Sequence, residues 1–275
     1  MTSLSTIPED LQSLWSNGVS PSPEDLKVFC DNVGDAVTSS FQDAVSQEPR
    51  TILRMSSIGK PARQLWYESK YVDNPEELDY SLRIKFLYGH LLEELLVLLL
   101  KMSGHSVEDQ QLEHDIDGIK GHQDARVDGV LVDFKSASGR LVGDDPFGYV
   151  AQISAYAEAN KDKEASFIVI DKQSGEVTVM PLHSMEMIDP VERIKSLREA
   201  LEQDTPPDKC YSPVPDGQSG NLKLSSGCNY CRFKFECWED ANEGKGLRGF
   251  KYANGIRYLT SVRKTPNVEE ITPGF

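Results

Sequence analysis

Residues 121–135 read Gly-His-Gln-Asp-Ala-Arg-Val-Asp-Gly-Val-Leu-Val-Asp-Phe-Lys. Asp133 and Lys135 are two apart, so on a strand their side chains project from one face. Asp128-Gly129 is a two-residue turn signal, because both central positions of a type I′ turn need positive φ. Folding back at that turn brings Asp124, on the partner strand, near Asp133. Two carboxylates and an ammonium at one end of a sheet suit a Mg²⁺-dependent phosphodiesterase. The carboxylates hold a hard cation, and the lysine orients or activates the attacking water. The plainer reading of an Asp-x-Lys pair is a solvated strand edge, so the elements around the hairpin decide.

Residues 1–50 read as helical and peripheral, with Ser22-Pro23-Glu24-Asp25 as a helix start. Cys30 follows in an amphipathic stretch and reads as a small core residue. Residues 54–68 begin with serines that can cap a helix; Lys60 and Arg63 form the first basic pair, and Trp66 and Tyr67 read as core. Residues 76–103 read as one long helix, apolar in its C-terminal half and buried on most sides. His90 with Glu93 or Glu94 shares a face at spacings of three and four. A buried histidine and acid there call for a partner or a metal. Strands are expected over 105–117, 121–135, 167–170 and 177–180, and helices over 147–160 and 184–203. Gln152 and Tyr156, four apart, share a helix face. The order is that of a mixed α/β core.

Four of the five cysteines fall in residues 210–238: Cys210, Cys228, Cys231 and Cys237. Cys-x₂-Cys lets two thiolates reach one metal, and a third five residues on fits a closed site. The surrounding segment is proline-rich with little core of its own, so a structural metal is expected. Zn²⁺ and an iron–sulfur cluster both accept four thiolates.

The bulk numbers bound these readings. The 275 residues, 39% of them hydrophobic, suffice for one large domain with appendages. The net charge of −15 disfavours nucleic-acid binding by bulk attraction, so DNA contact must use local basic residues or metal ions. The N-terminus lacks a basic, apolar leader, and the apolar run over 91–100 is too short to span a bilayer. A cytoplasmic protein without membrane attachment is expected, with cysteines as ligands or core residues rather than disulfides.

Together these residues resemble the PD-(D/E)XK nuclease superfamily, in its RecB-like and phage exonuclease branch. A Gly-His helix (Gly89-His90), a Gly-x-x-Asp strand (Gly121 to Asp124), an Asp-x-Lys strand (Asp133 to Lys135) and a Gln-x₃-Tyr helix (Gln152 to Tyr156) follow in the superfamily's order. The likeness covers roughly residues 54–240. It implies a restriction-endonuclease-like core, a central mixed sheet flanked by helices. By position, Asp124 and Asp133 would be ligands of Mg²⁺ or Mn²⁺, with His90 or Glu93 as the third. Lys135 would position the nucleophilic water, and Gln152 and Tyr156 would support the site and touch DNA. Lys60, Arg63 and Arg126 are candidate phosphate contacts. The cysteine trio resembles the C-terminal trio of the iron–sulfur branch. That branch places its fourth cysteine upstream, in a Ser-x₂-Gly-x-Cys-x-Arg-x₂-Trp-Tyr context. Here Pro61 or Ala62 stands there, which leaves Cys210 as the fourth ligand of a [4Fe–4S] cluster or Zn²⁺.

The expected organisation is a helical region over 1–53, a nuclease core over 54–204, a four-cysteine metal segment over 205–243 and a small β appendage over 244–275. The expected activity is metal-dependent hydrolysis of DNA, by analogy at DNA ends, in host cytoplasm if phage-encoded, with DNA ends or single strands as substrate. Self-association or a recombination or helicase partner is compatible with this. The competing readings are a catalytically silent module that binds a DNA end or a protein, and a thiolate redox sensor. The intact carboxylate–lysine set argues against both.

Overall fold

The computed structural model describes residues 3–45, 51–71, 80–137, 148–183 and 186–271. The chain is mixed α/β with a helical N-terminal region, and it divides into two compact units. The first comprises Met1–Gly59 and Val72–Lys195; the second comprises Lys60–Tyr71 and Ser196–Phe275. The N-terminal helices thus belong to the same unit as the core, and residues 60–71 belong with the cysteine segment. Among the described residues no helix is long and apolar enough to cross a membrane.

In the first unit, α1 (Ile7–Ser16) and α4 (Tyr80–Met102) pack with one face of a five-stranded sheet, and α2 (Pro23–Val45) packs against α4. Its strands are β1 (Val107–Glu108), β4 (Ala125–Val127), β5 (Val130–Ala137), β6 (Glu164–Asp171) and β7 (Val177–His183), in that order. β5 and β6 run parallel; the other pairings are antiparallel. The short hairpin β2 (Glu113–Ile116) and β3 (Ile119–His122) stands apart from this sheet. α5 (Tyr149–Asn160) forms where the Gln-x₃-Tyr helix is expected, and β6 and β7 extend the expected strands. α6 (Pro190–Leu201) is shorter than the expected helix and spans the unit boundary.

The main core joins α1, α4 and one sheet face. Ile7, Leu11, Leu96, Leu100, Val132, Phe134 and Ile168 pack together there, each removing a side chain's worth of apolar surface from water, about 1.5–3 kcal/mol apiece. Because strand side chains alternate, Val132 and Phe134 entering this core send Asp133 and Lys135 to the opposite face.

Two expectations about burial need correction. Only the C-terminal part of α4 is buried; Tyr80, Ile84, Phe86 and Tyr88 are exposed, because the packing against the core that includes the sheet face begins at about Leu92. The four residues expected to begin this helix, 76–79, lie outside the described residues. Cys30 on α2 is exposed rather than a core residue, and all five cysteines are free thiols.

The turn between β4 and β5 has positive φ at both Asp128 and Gly129, 49° and 82°, as a type I′ turn requires. Asp128 also anchors it: one carboxylate oxygen accepts from the Ser106 amide at 3.0 Å, and the other lies 2.7 Å from Nδ1 of the buried His105. The His105 Nε2 faces Asp10 of α1 at 3.3 Å, so α1 and the hairpin meet at one imidazole.

The start of α5 depends on a backbone contact between two glycines. A Cβ placed on Gly59 would lie 2.1 Å from the carbonyl oxygen of Gly148, which itself adopts φ 72°. Gly59→Ala should therefore cost about 1–3 kcal/mol or more, since backbone rather than a flexible side chain must give way. Gly34→Ala, on an exposed turn of α2 with open space around it, should gain about 0.5–1 kcal/mol. Urea unfolding midpoints of the two variants test both signs.

In the second unit, α3 (Ala62–Lys70) packs Trp66 and Tyr67 with Phe233 as expected of core aromatics. Its sheet has the order β12–β10–β11–β9–β8. The strands are β8 (Val214–Pro215), β9 (Leu222–Lys223), β10 (Arg248–Tyr252), β11 (Gly255–Ser261) and β12 (Glu270–Ile271). The expected β appendage thus takes two strands from the cysteine segment, which is why the two are one unit.

Candidate functional site

β5 carries Asp133 and Lys135, and its register with β4 pairs Ala125 with Val132, so one step further Asp124 faces Asp133. Asp124 lies just before β4 and is fixed by the Phe134 backbone N–H, which donates to its Oδ2 at 2.7 Å. Its neighbour Gln123 is wholly buried. The Gln123 amide oxygen lies 2.8 Å from His114 Nε2 and accepts from Asn160 of α5 at 3.0 Å, and its NH₂ donates to the Asp109 carbonyl. This network clamps the segment that presents Asp124.

Asp133 is 1% exposed, and the Lys135 ammonium stands 2.5 Å from one of its oxygens. Neither oxygen receives a well-aligned hydrogen bond. Lys135 is further held by Gln152 Oε1 at 3.5 Å and by the Tyr149 ring, 4.7 Å from ammonium to centroid. Tyr156 is buried, is hydrogen-bonded by Gln152 and senses the charges of Asp124 and Asp133. Gly121 makes room for it, because a Cβ there would meet Met55 Cβ at 2.6 Å and the Tyr156 hydroxyl at 2.9 Å.

The electrostatics single out a third acid. Burial, then the charges of Glu94 and Asp133, push the Glu93 carboxyl up to about 7. Gln111 donates to Glu93 at 2.8 Å. Burial, then repulsion from Asp133 and Glu93, raises Asp124 well above the usual carboxylate range. Burial also raises Asp133, against the pull of Lys135. Burial alone would lower the Lys135 ammonium, but Asp133 and Asp124 outweigh it and raise it. Three acids therefore share one lysine in a poorly hydrated site, the condition a divalent cation relieves.

His90, the alternative to Glu93, is exposed on α4 and is not among the groups that perturb these carboxylates. It lies in the part of the helix that the sheet does not cover, so no burial cost demands a metal for it. Gln152 does meet Lys135, and Tyr156 senses the charges of Asp124 and Asp133. Sequence reasoning missed Tyr149, three residues before Gln152 and so on the same helix face, and Gln111, for which no local signal exists. It also missed Arg54, exposed beside the 3₁₀ turn Met55–Ser57, whose charge is felt at Tyr156.

The three expected phosphate contacts have partners inside the protein. Lys60 pairs with Glu68 at 3.0 Å. Arg126 pairs with Asp162 at 2.6 Å and donates to the Gly129 carbonyl at 3.0 Å. Arg63 donates to the Cys237 sulfur at 3.0 Å and to the Pro207 carbonyl.

In the second unit Cys210, Cys228, Cys231 and Cys237 line one small cavity with Arg63, Tyr67 and Trp238. Burial, then the neighbouring Cys237 and Cys228, pushes the Cys210 thiol up to about 11. Burial raises Cys231 and Cys237 as well, the latter against the Arg63 hydrogen bond. Among the described residues, no group of three or more His, Cys, Asp or Glu side chains is placed to hold a metal ion. The donor chemistry is nonetheless suited: oxygen donors for a hard cation in the first unit, sulfur donors for a soft one in the second.

No protein-family model matches the chain, and no curated protein matches it. Among solved structures, the crystal structure of SSO0001 aligns over 73% of this chain and 92% of that one, with 17% identity and a TM-score of 0.47. That is a distant likeness of backbone.

The imbalance of three acids to one base fixes the sign of two substitutions. In chelator, Asp124→Asn keeps an oxygen for the Phe134 N–H and removes a repelling charge. Its thermal midpoint should rise about 2–4 °C for each kcal/mol of repulsion removed. Lys135→Met leaves the acids uncompensated and should destabilise by about 3–5 kcal/mol. Calorimetry showing both variants destabilised alike would contradict this account of the charges.

Proposed function

We propose that the chain is a metal-dependent DNA nuclease acting at DNA ends, with the first unit's sheet and helices as a restriction-endonuclease-like core. The single observation that supports this is the Asp124–Asp133–Glu93 set sharing Lys135, with Asp133 buried and the other two partly so. On this reading Asp124, Asp133 and Glu93 hold Mg²⁺ or Mn²⁺, which when bound supplies Lewis-acid stabilisation of the phosphate charge and a water of lowered pKa.

The chain's own residues do the rest. The Lys135 ammonium, held by Gln152 and Tyr149, donates to the attacking water and stays positive beside the developing phosphorane charge. Gln152 and Tyr156 fix the lysine and the wall behind it. Arg54 reaches toward the same wall from an exposed position and offers a phosphate contact in place of Lys60, Arg63 and Arg126. The four cysteines hold Zn²⁺ or a [4Fe–4S] cluster, which when bound ties a loop-rich segment together.

A DNA partner for a chain of net charge −15 also needs a local basic surface. Residues 245–264 contain Lys245, Arg248, Lys251, Arg257, Arg263 and Lys264 and no acidic residue. Lys245, Arg263 and Lys264 are exposed, whereas Arg248, Lys251 and Arg257 pair with Glu270, Glu269 and Asp216.

End-labelled linear and closed circular DNA, incubated with protein and Mg²⁺ or Mn²⁺, test the proposal. The linear DNA should be degraded, the circular DNA spared, and chelator should stop the reaction entirely. Asp133→Ala and Lys135→Ala should each lower the rate by at least about 10³-fold, the scale of losing a central electrostatic group. Undiminished cleavage by both variants would overturn the assignment. Tight end binding without cleavage in any metal would mark a silent module instead.

A further inference from the structure

Arg63 is held by three contacts from three segments. Its Nε donates to the Cys237 sulfur at 3.0 Å, an η nitrogen donates to the Pro207 carbonyl, and its guanidinium carbon lies 5.6 Å from the Tyr67 ring centroid. Tyr67 is itself stacked on Phe233, centroids 5.4 Å apart at 21°. These contacts fix a side chain that is only partly buried. A guanidinium donating to sulfur gains most when the sulfur is a thiolate, since hydrogen bonds between charged partners are roughly twice as strong as neutral ones. Other cations stand close by. Lys209 lies over the Trp238 ring at 4.1 Å, and Lys234 donates to the Cys231 carbonyl at 3.3 Å. Arg63 and Lys234 line this cavity of four cysteines, while Lys209 is paired with Asp240 at 2.5 Å.

We propose that Arg63 is a positioning residue of the cysteine site. It orients the Cys237 sulfur and offsets the negative charge that four thiolates retain around a dipositive metal or cluster. This rests on the reading of the cysteines as a metal site. The fork geometry matters, because one planar group spans a sulfur and a backbone carbonyl at once. A lysine supplies a charge but not two N–H groups in fixed relation. Hydrogen bonds of this kind to ligand sulfurs tune affinity and electronic structure without touching the metal. The role excludes Arg63 from the DNA contacts.

The test is titration of the reduced, full-length apoprotein with Co²⁺ alone, followed by optical absorption and chelator competition. Thiolate-to-cobalt charge-transfer bands report sulfur ligation and ignore cobalt bound to carboxylates. Wild type should show these bands at one equivalent. Arg63→Gln should bind about 10–100-fold more weakly, with the charge-transfer band displaced. Arg63→Lys should fall between the two, with an unchanged far-ultraviolet dichroism spectrum. If Arg63→Gln does not fold, the Lys variant decides, since it keeps the charge and most of the stem. Wild-type affinity and band position in the folded variants would overturn the role of Arg63 alone. Absence of the bands in wild type would remove the metal reading of the cysteines and this inference with it. In either case the nuclease assay on the first unit's carboxylates stands separately.

Discussion

The structure turns on a charge imbalance buried at the end of β5. Asp133 is almost wholly removed from water, its nearest neutralising group is Lys135, and Asp124 and Glu93 press on the same lysine. A fold tolerates such a cluster only where the scaffold around it is stiff. Several features supply stiffness here. β5 lies between β4 and β6, the Asp128-Gly129 turn is pinned through His105, Gln123 is clamped by hydrogen bonds, and α5 starts at a glycine–glycine contact. Each limits how far the carboxylates can move apart to relieve their repulsion.

The second unit solves a different problem. It has two-residue strands, short helices and a small apolar cluster around Leu224, Trp238 and Leu247. Aromatic stacking and cation–aromatic contacts do much of the packing: Trp66 with Tyr67, Tyr67 with Phe233, Lys209 with Trp238. On the proposed reading, four thiols gathered in such a unit would hold a soft metal, as three carboxylates in the first unit would hold a hard one. Hard and soft donors are thus segregated between the two units.

Much of the first site was legible in the sequence because its spacing is local. Period two put Asp133 and Lys135 on one face, Asp-Gly marked the turn, and a four-residue step joined Gln152 to Tyr156. The choice between His90 and Glu93 was not legible. Both suit one face of α4, and only the sheet's position along the helix decides which turn meets the carboxylates. The contacts of Arg63 were not legible for a similar reason: its sulfur partner Cys237 lies far along the chain, and nothing near an arginine in sequence reports such a partner. Strands as short as β8 and β9 carry no periodicity, so the sheet that joins the cysteine segment to the C-terminal strands could not be foreseen.

On the proposed reading, the Asp124–Asp133–Glu93 cluster holds a divalent cation. Anomalous scattering from crystals grown with Mn²⁺ measures this directly. A peak is expected at bonding distance, about 2.0–2.3 Å, from carboxylate oxygens of both Asp124 and Asp133, with Lys135 displaced from its direct ion pair. Crystals saturated with Mn²⁺ that show no peak there, and Lys135 still against Asp133, would contradict it.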